Sequence, residues 1–339
     1  MVLRKLCDLR HETAPLSYET VPDPEPGPND LLLEVSVCGV CHTELDEIEG
    51  RTPPRTLPMI LGHQAVGRVI GRGEAATQIA LGARVGVAWI HHACGVCRHC
   101  RVGDENLCLE FVATGRDVPG GYAERMIVPE TFAHPIPEGL SDVEAAPLLC
   151  AGAIGWRSLR LTGMSDGDRL GLTGFGASGH LVLAMVRRRF PSSEVYVFAR
   201  NPEERAFARE LGAVWTGDSE DLAPAKLHAI IDTTPAWRPV LGALANLEPG
   251  GRLVINAIRK ESADRDRLAT LDYARDLWLE KEIKSVANVT RADVREFLEF
   301  AATAKIAPAA TEFPLADANR VLVELKRAAG RGAKVLRVA

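Results

Sequence analysis

Residues 168–190, DRLGLTGFGASGHLVLAMVRRRF, decide the fold of this chain. An apolar run typical of a buried strand leads into GFGASG at 174–179, and an apolar-periodic stretch typical of a helix follows directly. The glycine spacing G-x-G-x-x-G is weak evidence alone, but between a strand and a helix it indicates a dinucleotide-binding turn. The stretch therefore predicts a strand, a phosphate-binding turn and a helix in succession.

The same alternation continues towards the C-terminus. EVYVFAR at 194–200 predicts a second strand, and PEERAFARELGA at 202–213 predicts a helix that ends at Gly212. LHAIIDTT at 227–234 and GGRLVINAI at 250–258 predict further strands. Strands that alternate with helices of this length are typical of a parallel α/β sheet. We expect a doubly wound dinucleotide-binding domain over residues 151–289.

The rest of the chain has a different pattern. Residues 1–150 contain short alternating runs interrupted by Pro and Gly, including LLLEVSVCGVC at 31–41. This pattern favours an irregular, mostly β domain. From about residue 290, two helical patterns and a final strand follow, within the range 290–339.

Composition excludes several classes of partner. The 339 residues are 46% hydrophobic and 25% charged, with a formal net charge of −5. No basic excess is available to meet nucleic-acid phosphates or an anionic membrane, and no apolar run approaches the length of a membrane helix. The N-terminus is charged and has no apolar signal core, so we expect a cytoplasmic protein that acts on a small molecule.

Four of the eight cysteines lie within fifteen residues. Cys94, Cys97, Cys100 and Cys108 form C-x2-C-x2-C-x7-C inside a segment, 91–110, that we expect to fold as a lobe. In a reducing compartment such a cluster indicates a metal site rather than disulfides. An iron–sulfur cluster is the alternative, but the long last gap and the lack of a following Pro favour a closed structural zinc site.

Three further potential ligands are far apart in the sequence. They are Cys41 in GVCHTELD, His63 in LGHQAVG and Cys150 in PLLCAG. Each alone would be interpreted as a buried cysteine or an ordinary histidine. Together with the four-cysteine lobe and GFGASG, these motifs resemble the zinc-containing medium-chain alcohol dehydrogenases, in the order and at the distances of that family. The resemblance covers essentially the whole chain.

The resemblance implies a fold and a catalytic metal. It implies a GroES-like catalytic domain over 1–150, to which 290–339 returns, and a Rossmann domain over 151–289, with the active site in the cleft between them. It also implies an open catalytic zinc held by Cys41, His63 and Cys150, so that two zinc ions are expected per chain.

The resemblance also assigns roles near the first cysteine ligand. Thr43 matches the hydroxyl that begins a proton relay, and His42 matches a basic residue that contacts the cofactor pyrophosphate. Glu44 matches a carboxylate that orients the histidine ligand. Trp89 is either a substrate-pocket aromatic or a plain core residue.

Two positions depart from the family pattern. Many relatives have Glu directly after the histidine ligand, where this chain has Gln64. The charge around the metal would then stay near neutral, and we expect slower ligand exchange. Many relatives also have a relay histidine where this chain has Asp46, so the outer relay would use Asp46 or bulk water.

The dinucleotide motif also bears on the choice of cofactor. Gly174 makes the turn, Gly176 admits the pyrophosphate, and Gly179 allows close packing of helix and strand. At the end of the second strand, Ala199 occupies the position of the acidic residue that holds the NAD ribose, and Arg200 follows. A neutral residue followed by a guanidinium favours NADP, with Arg205 assisting, because an Asp would repel a 2′-phosphate. The alternative is that Arg200 stacks on adenine and NAD is used.

The predicted activity is reversible hydride transfer between an alcohol and NAD(P). A polyol or sugar dehydrogenase is the nearest alternative, although Cys150 in place of an acidic ligand favours simple alcohols and aldehydes. Quinone reductases of the superfamily usually lack both zinc sites, and a catalytically idle NADP-binding protein is the alternative from another class. Relatives are dimers or tetramers, so we expect a homo-oligomer. Arg331 and Lys334 lie near a basic cofactor contact of relatives, but surface charge is the simpler interpretation.

Overall fold

The computed structural model describes residues 1–327 and 332–338. Its strands are β1 (Val2–Leu3), β2 (Leu16–Ser17), β3 (Asp30–Val40), β4 (Met59–Ile60), β5 (Ala65–Arg72), β6 (Arg84–Val87), β7 (Ile90–His92), β8 (Val112–Ala113), β9 (Arg125–Pro129), β10 (Ala133–Pro135), β11 (Arg169–Thr173), β12 (Glu194–Phe198), β13 (Trp215–Gly217), β14 (Leu227–Asp232), β15 (Leu247–Ile255), β16 (Glu282–Ser285), β17 (Ala310–Pro314) and β18 (Ala333–Arg337). Its α-helices are α1 (His42–Ile48), α2 (Arg98–Arg101), α3 (Asp142–Pro147), α4 (Ala153–Thr162), α5 (Ala177–Arg189), α6 (Pro202–Glu210), α7 (Arg238–Asn246), α8 (Arg291–Ala304) and α9 (Ala318–Lys326). No helix among these residues combines the length and the apolar character that crossing a membrane would require.

The chain divides into two compact units. The first contains Met1–Ala153 and the described residues from Val289 onward, and the second contains Ile154–Asn288. The mixed α/β fold class, with a mostly β domain and a doubly wound parallel sheet, is confirmed.

Strand β3 is the centre of the first unit. It pairs with β5, β9 and β18 in a sheet whose main path is β10-β6-β5-β3-β18-β17. Every second residue from Leu31 to Val37 is fully buried, which is the alternation expected of a strand with one face on a core. The C-terminal strand β18 thus joins the same sheet as the N-terminal strands. This arrangement fixes the end of β3, where Cys41 follows.

The second unit is a six-stranded parallel sheet in the order β13-β12-β11-β14-β15-β16. This order reverses between β11 and β14, and ligands of such sheets bind outside the carboxyl ends of the strands at that point. Strand β11 runs directly into Gly174, and α5 begins at Ala177. The predicted succession of strand, turn and helix is therefore present at the reversal point.

A buried ion pair lies at this edge of the sheet. Asp232, the last residue of β14, is fully buried and accepts hydrogen bonds from the Thr173 hydroxyl (2.5 Å) and the Thr234 hydroxyl (2.8 Å). The Lys260 ammonium pairs with Asp232 and also donates to the carbonyl oxygens of Thr234 (2.8 Å) and Ala236 (3.0 Å). This network connects the carboxyl ends of β11 and β14 beside the glycine turn.

Replacing Lys260 with Met leaves the Asp232 carboxylate buried without its cation. We expect Lys260→Met to lower the free energy of unfolding by about 3–5 kcal/mol, because breaking a buried pair leaves an uncompensated charge. Urea unfolding measures the change. The control is Glu282→Gln, which removes an exposed partner of Arg252 and is expected to have little effect. Equal stability of the two variants would contradict this account of the sheet edge.

Candidate metal centres and dinucleotide site

Three side chains that are distant in sequence converge in the first unit. Cys41 follows β3, His63 lies just before β5, and Cys150 lies in a wide helical turn at Leu148–Gly152. The His63 Nε2 atom is 3.6 Å from the Cys41 Sγ and 3.3 Å from the Cys150 Sγ. The three ligand atoms all lie within 4.8 Å of one another.

These distances fit a tetrahedral metal. A zinc ion with Zn–S and Zn–N bonds of about 2.3 and 2.1 Å would separate a sulfur and a nitrogen ligand by about 3.6 Å. Two thiols and one imidazole are also the donor types that zinc prefers. Cys41, His63 and Cys150 therefore fit a zinc site in both chemistry and spacing.

Glu44 holds two of these ligands in place. Cys41 is the N-cap of α1, and its sulfur accepts a hydrogen bond from the Thr43 backbone N–H at 3.3 Å. In return, Glu44 Oε2 accepts from the Cys41 backbone N–H at 2.8 Å, which completes a capping box. The other oxygen, Oε1, lies 2.7 Å from His63 Nδ1. A carboxylate on Nδ1 keeps the proton there and directs the Nε2 lone pair at the two sulfurs.

The cluster is buried and electrostatically coupled. His63 is 1% exposed and Glu44 is fully buried. The hydrogen bond with Cys150, together with burial, raises the pKa of Cys41 above its usual value. Burial lowers the pKa of His63, but attraction to Glu44 and Cys41 outweighs it and raises the pKa above the usual value. Cys41 and His63 therefore hold their protons more tightly than the free side chains do, and a bound divalent cation would have to displace those protons.

The other predicted residues of α1 have different surroundings. His42 is exposed and Thr43 is half-buried, both in the first turn after the Cys41 ligand. Asp46 is buried, and its Oδ1 accepts from Arg51 Nε at 2.5 Å. The Asp46 carboxylate therefore forms an ion pair with Arg51, and a role in a proton relay would have to be compatible with that pair.

Trp89 lies beside the histidine ligand. Its ring is 6.5 Å from the His63 ring in an edge-on arrangement, and it packs against Phe111 with 5.3 Å between ring centroids. The Arg116 guanidinium lies over the Trp89 ring at 5.0 Å. The side chain is half-buried, so one part of it contacts the core around the metal ligands and another part stays accessible.

Sequence reasoning did not select one residue of this region, Glu47. It is fully buried on α1, three residues after Glu44. Two carboxylates at spacing i, i+3 share one helix face, so the pair Glu44 and Glu47 was a usable signal. It was missed because a glutamate is ordinarily expected on the solvent side of a helix.

The four-cysteine segment forms a second group of ligand atoms. Cys100 Sγ lies 3.5 Å from Cys97 Sγ and 3.9 Å from Cys94 Sγ, and all four sulfurs, including that of Cys108, lie within 4.8 Å. Sulfur ligands of a tetrahedral zinc would be about 3.8 Å apart. Backbone N–H groups of Cys97 and Cys100 donate to the sulfurs of Cys94 and Cys97. The segment therefore presents four thiols in the arrangement of a closed metal site.

Two of these thiols, Cys97 and Cys100, have pKa values that are shifted in opposite directions. A hydrogen bond from the Cys100 backbone N–H lowers the pKa of Cys97 to about 7. Desolvation and hydrogen bonding to Cys97 raise the pKa of Cys100 to about 12. A bound divalent cation would favour the thiolate form of each of its ligands.

In the second unit, the glycine turn is shaped for close approach of a ligand. Gly174 has a φ of +80°, and a Cβ there would lie 2.8 Å from Thr233 Oγ1. A Cβ on Gly179 would lie 2.9 Å from the Gly174 carbonyl oxygen. A Cβ on Gly176 would meet no described atom within 4 Å. The space in front of Gly176 suits an anionic phosphate. The N-terminus of α5 suits it as well, because no described side chain caps it.

The residues after β12 lie beside this turn. Ala199 is buried and Arg200 is exposed. Arg205 Nη1 donates to the carbonyl oxygens of Ala199 (2.7 Å) and Arg200 (3.2 Å), and it lies 3.7 Å from Asp218 Oδ2. Arg205 thus stabilises the backbone that presents Arg200.

Of the two basic positions near the C-terminus, Arg331 and Lys334, the structure describes Lys334. Lys334 Nζ lies 3.5 Å from Glu324 Oε2 and 5.2 Å from the Phe313 ring centroid. Arg331 lies outside the described residues.

Comparisons with known proteins agree with this geometry. Residues 27–138 match the family model described as alcohol dehydrogenase GroES-like domain. The chain is 43% identical over 330 residues to the protein named "Probable alcohol dehydrogenase AdhA" from Mycobacterium tuberculosis (strain CDC 1551 / Oshkosh), which covers 96% of this chain and 93% of that protein. It is 30% identical over 332 residues to an alcohol dehydrogenase of Geobacillus stearothermophilus, covering 95% and 96% of the two chains.

A solved structure is also similar over the whole chain. The cinnamyl alcohol dehydrogenase SbCAD4 from Sorghum bicolor superposes with a TM-score of 0.86 at 26% identity, covering 99% of this chain and 97% of that one.

If the four-cysteine group holds a metal, loss of any one of its thiol ligands should release that metal. We expect Cys97→Ser to remove about one zinc per chain and to lower the melting temperature by at least about 5 °C, because a closed zinc site contributes folding energy. Zinc analysis after gel filtration and thermal unfolding measure both effects. The control is Cys7→Ser, since Cys7 lies outside both groups of ligands. An unchanged zinc content in Cys97→Ser would contradict this assignment.

Proposed function

The chain belongs to the zinc-containing medium-chain alcohol dehydrogenase family, and from this premise we propose its reaction and its metal site. The reaction is reversible transfer of hydride between an alcohol and a nicotinamide dinucleotide. The metal is a zinc ion held by Cys41, His63 and Cys150. The observation that carries the proposal is the convergence of these three ligand atoms, with Glu44 fixing two of the ligands. A second zinc, held by the four-cysteine lobe, would be structural because four thiolates leave no position for a substrate.

The chemistry divides between the metal and the protein. Bound zinc would act as a Lewis acid that lowers the pKa of the alcohol hydroxyl and polarises an aldehyde carbonyl. The protein's part is to hold the His63 ring in position, through the contact between Nδ1 and Glu44 Oε1 at 2.7 Å, so that Nε2 is the atom left for the metal. His63 is therefore committed to ligation and does not serve as the general base.

Thr43 is the proton carrier that we propose for this site. Its backbone N–H already donates to the Cys41 sulfur at 3.3 Å, which places the residue next to a metal ligand. The hydroxyl can accept a proton from the substrate and pass its own outwards. Since Asp46 is paired with Arg51, bulk water is the simpler outlet for that proton.

The ligand set also favours a substrate class. Cys150 stands where an acidic ligand would favour a polyol or sugar, so simple alcohols and aldehydes are the proposed substrates. A screen of primary alcohols, secondary alcohols, polyols and aldehydes tests this proposal. Turnover confined to polyols would favour the alternative activity, and the absence of any turnover would favour an idle dinucleotide-binding protein.

For the cofactor, we propose NADP. Ala199 supplies no carboxylate to repel a 2′-phosphate, and Arg200 is exposed beside it. His42 is the residue that we propose, from the family resemblance, as a contact for the cofactor pyrophosphate. The eight thiols without a disulfide among them suit a reducing compartment, and the cytoplasm is the location we propose.

Substitution of Thr43 tests the proton path. We expect Thr43→Ala to lower kcat/KM by about 100-fold, because general acid–base groups typically contribute that much, while Thr43→Ser retains most activity. Steady-state kinetics with the best alcohol of the screen measures the effect, and zinc analysis should show unchanged metal content. Equal activity of the Ala and Ser variants would remove Thr43 from the path.

Substitution of Arg200 tests the cofactor proposal. We expect Arg200→Leu to raise KM for NADP by about tenfold or more and to leave KM for NAD nearly unchanged, since a charge-assisted contact to phosphate is lost. Initial rates with each cofactor measure both constants. A clear preference of the wild-type protein for NAD would contradict the proposal.

A further inference from the structure

A buried carboxylate on α1 has no part in the proposed mechanism. Glu47 is fully buried, and neither of its oxygens accepts a hydrogen bond of good geometry from a described residue. Burial raises the pKa of Glu47 above its usual value, and the neighbouring Glu44 raises it further. A carboxylate in such a place is costly unless a cation balances it.

The surroundings of Glu47 are those of the three-ligand cluster. The charged neighbours of Glu47 are Glu44, His63 and Arg116, and the Trp89 indole N–H, which likewise makes no hydrogen bond of good geometry with a described residue, lies beside it. The Arg116 guanidinium is already paired with the Asp117 carboxylate at 2.7 Å. A metal held by Cys41, His63 and Cys150 would place a further cation, and a doubly charged one, beside Glu47.

The residue directly after the histidine ligand carries no charge. Gln64 follows the histidine ligand, is 2% exposed, and its Nε2 atom has no hydrogen-bond partner in the described part of the chain. Two thiolates would neutralise a divalent zinc, and Gln64 adds no charge. Glu44 and Glu47, both fully buried on α1, are then the carboxyl groups that could add negative charge beside these ligands.

We propose that Glu47 is a positioning residue for the metal centre, supplying buried negative charge to it from α1. The inference rests on the proposed function, because it needs a metal at Cys41, His63 and Cys150. A buried carboxylate attracts a nearby buried dication strongly, since little solvent screens the pair. Glu47 therefore slows loss of the metal without being a ligand.

The test follows release of zinc from the loaded full-length protein into excess chromogenic chelator. The wild-type protein is expected to release two equivalents per chain in two phases, one from each group of ligands. Glu47→Gln preserves shape and should accelerate the phase from the three-ligand site by about 10- to 100-fold, which is typical for residues that support a metal ligand. The phase from the four-cysteine lobe serves as an internal control and should not change.

Two further variants separate charge from packing. Glu47→Gln combined with Gln64→Glu restores a carboxylate beside His63 and is expected to bring release back to within about threefold of wild type. Glu49→Gln is the matched control, because Glu49 ends the same helix but pairs with Arg51 and Lys326. Its release should equal that of wild type.

The outcomes separate this inference from the function on which it rests. A wild-type protein that holds zinc only in the four-cysteine lobe would remove the proposed catalytic metal. A wild-type protein with two equivalents, but unaltered release in Glu47→Gln or no recovery in the double variant, would overturn the role of Glu47 alone. Thermal unfolding in excess zinc should be the same for the wild-type protein and Glu47→Gln, and a loss of stability in Glu47→Gln would indicate a purely structural role and also overturn the inference.

Discussion

The site depends on one side chain, Glu44, whose two oxygens serve two ligands. One oxygen accepts from the Cys41 backbone N–H at 2.8 Å, and the other lies 2.7 Å from His63 Nδ1. Because the same carboxylate closes the capping box of α1, formation of the helix and orientation of the histidine are a single structural event. Strand β3 and helix α1 thus meet at Cys41, and Glu44 connects this junction to His63.

In the second unit, a buried ion pair lies at the carboxyl ends of β11 and β14, beside the glycine turn. Lys260 and Asp232 connect the loop after β15 to the ends of β11 and β14, next to the turn that begins at Gly174. A buried ion pair contributes little net stability by itself, but it disfavours alternative positions of the backbone that it joins. The glycine turn therefore gains its shape from the side chains behind it as well as from its own lack of Cβ atoms.

Local sequence predicted the parts of the fold that local interactions determine. The stretch 168–190 became β11, a glycine turn and α5, and the fold class is confirmed. The strand order of the two large sheets, one in each unit, was not predicted, since it depends on contacts between segments far apart in sequence. The bulged pairing of β3 with β5, and the addition of β18 on the other side of β3, have no local signal.

The candidate site divides in the same way. The four cysteines of the lobe are close in sequence, so their spacing was sufficient to propose a shared metal. His63 is 22 residues from Cys41 and 87 from Cys150, so only family resemblance could associate them, and the structure now brings their ligand atoms together. The engagement of Asp46 with Arg51 and the burial of Glu47 depend on tertiary packing, which residue type alone does not reveal.

Anomalous diffraction at the zinc absorption edge, from crystals of the purified protein, tests the central claim most directly. The account predicts a peak bonded to Cys41 Sγ, His63 Nε2 and Cys150 Sγ, in addition to one among the four cysteines of the lobe. A well-ordered map with a peak in the lobe and none among those three ligands would contradict it.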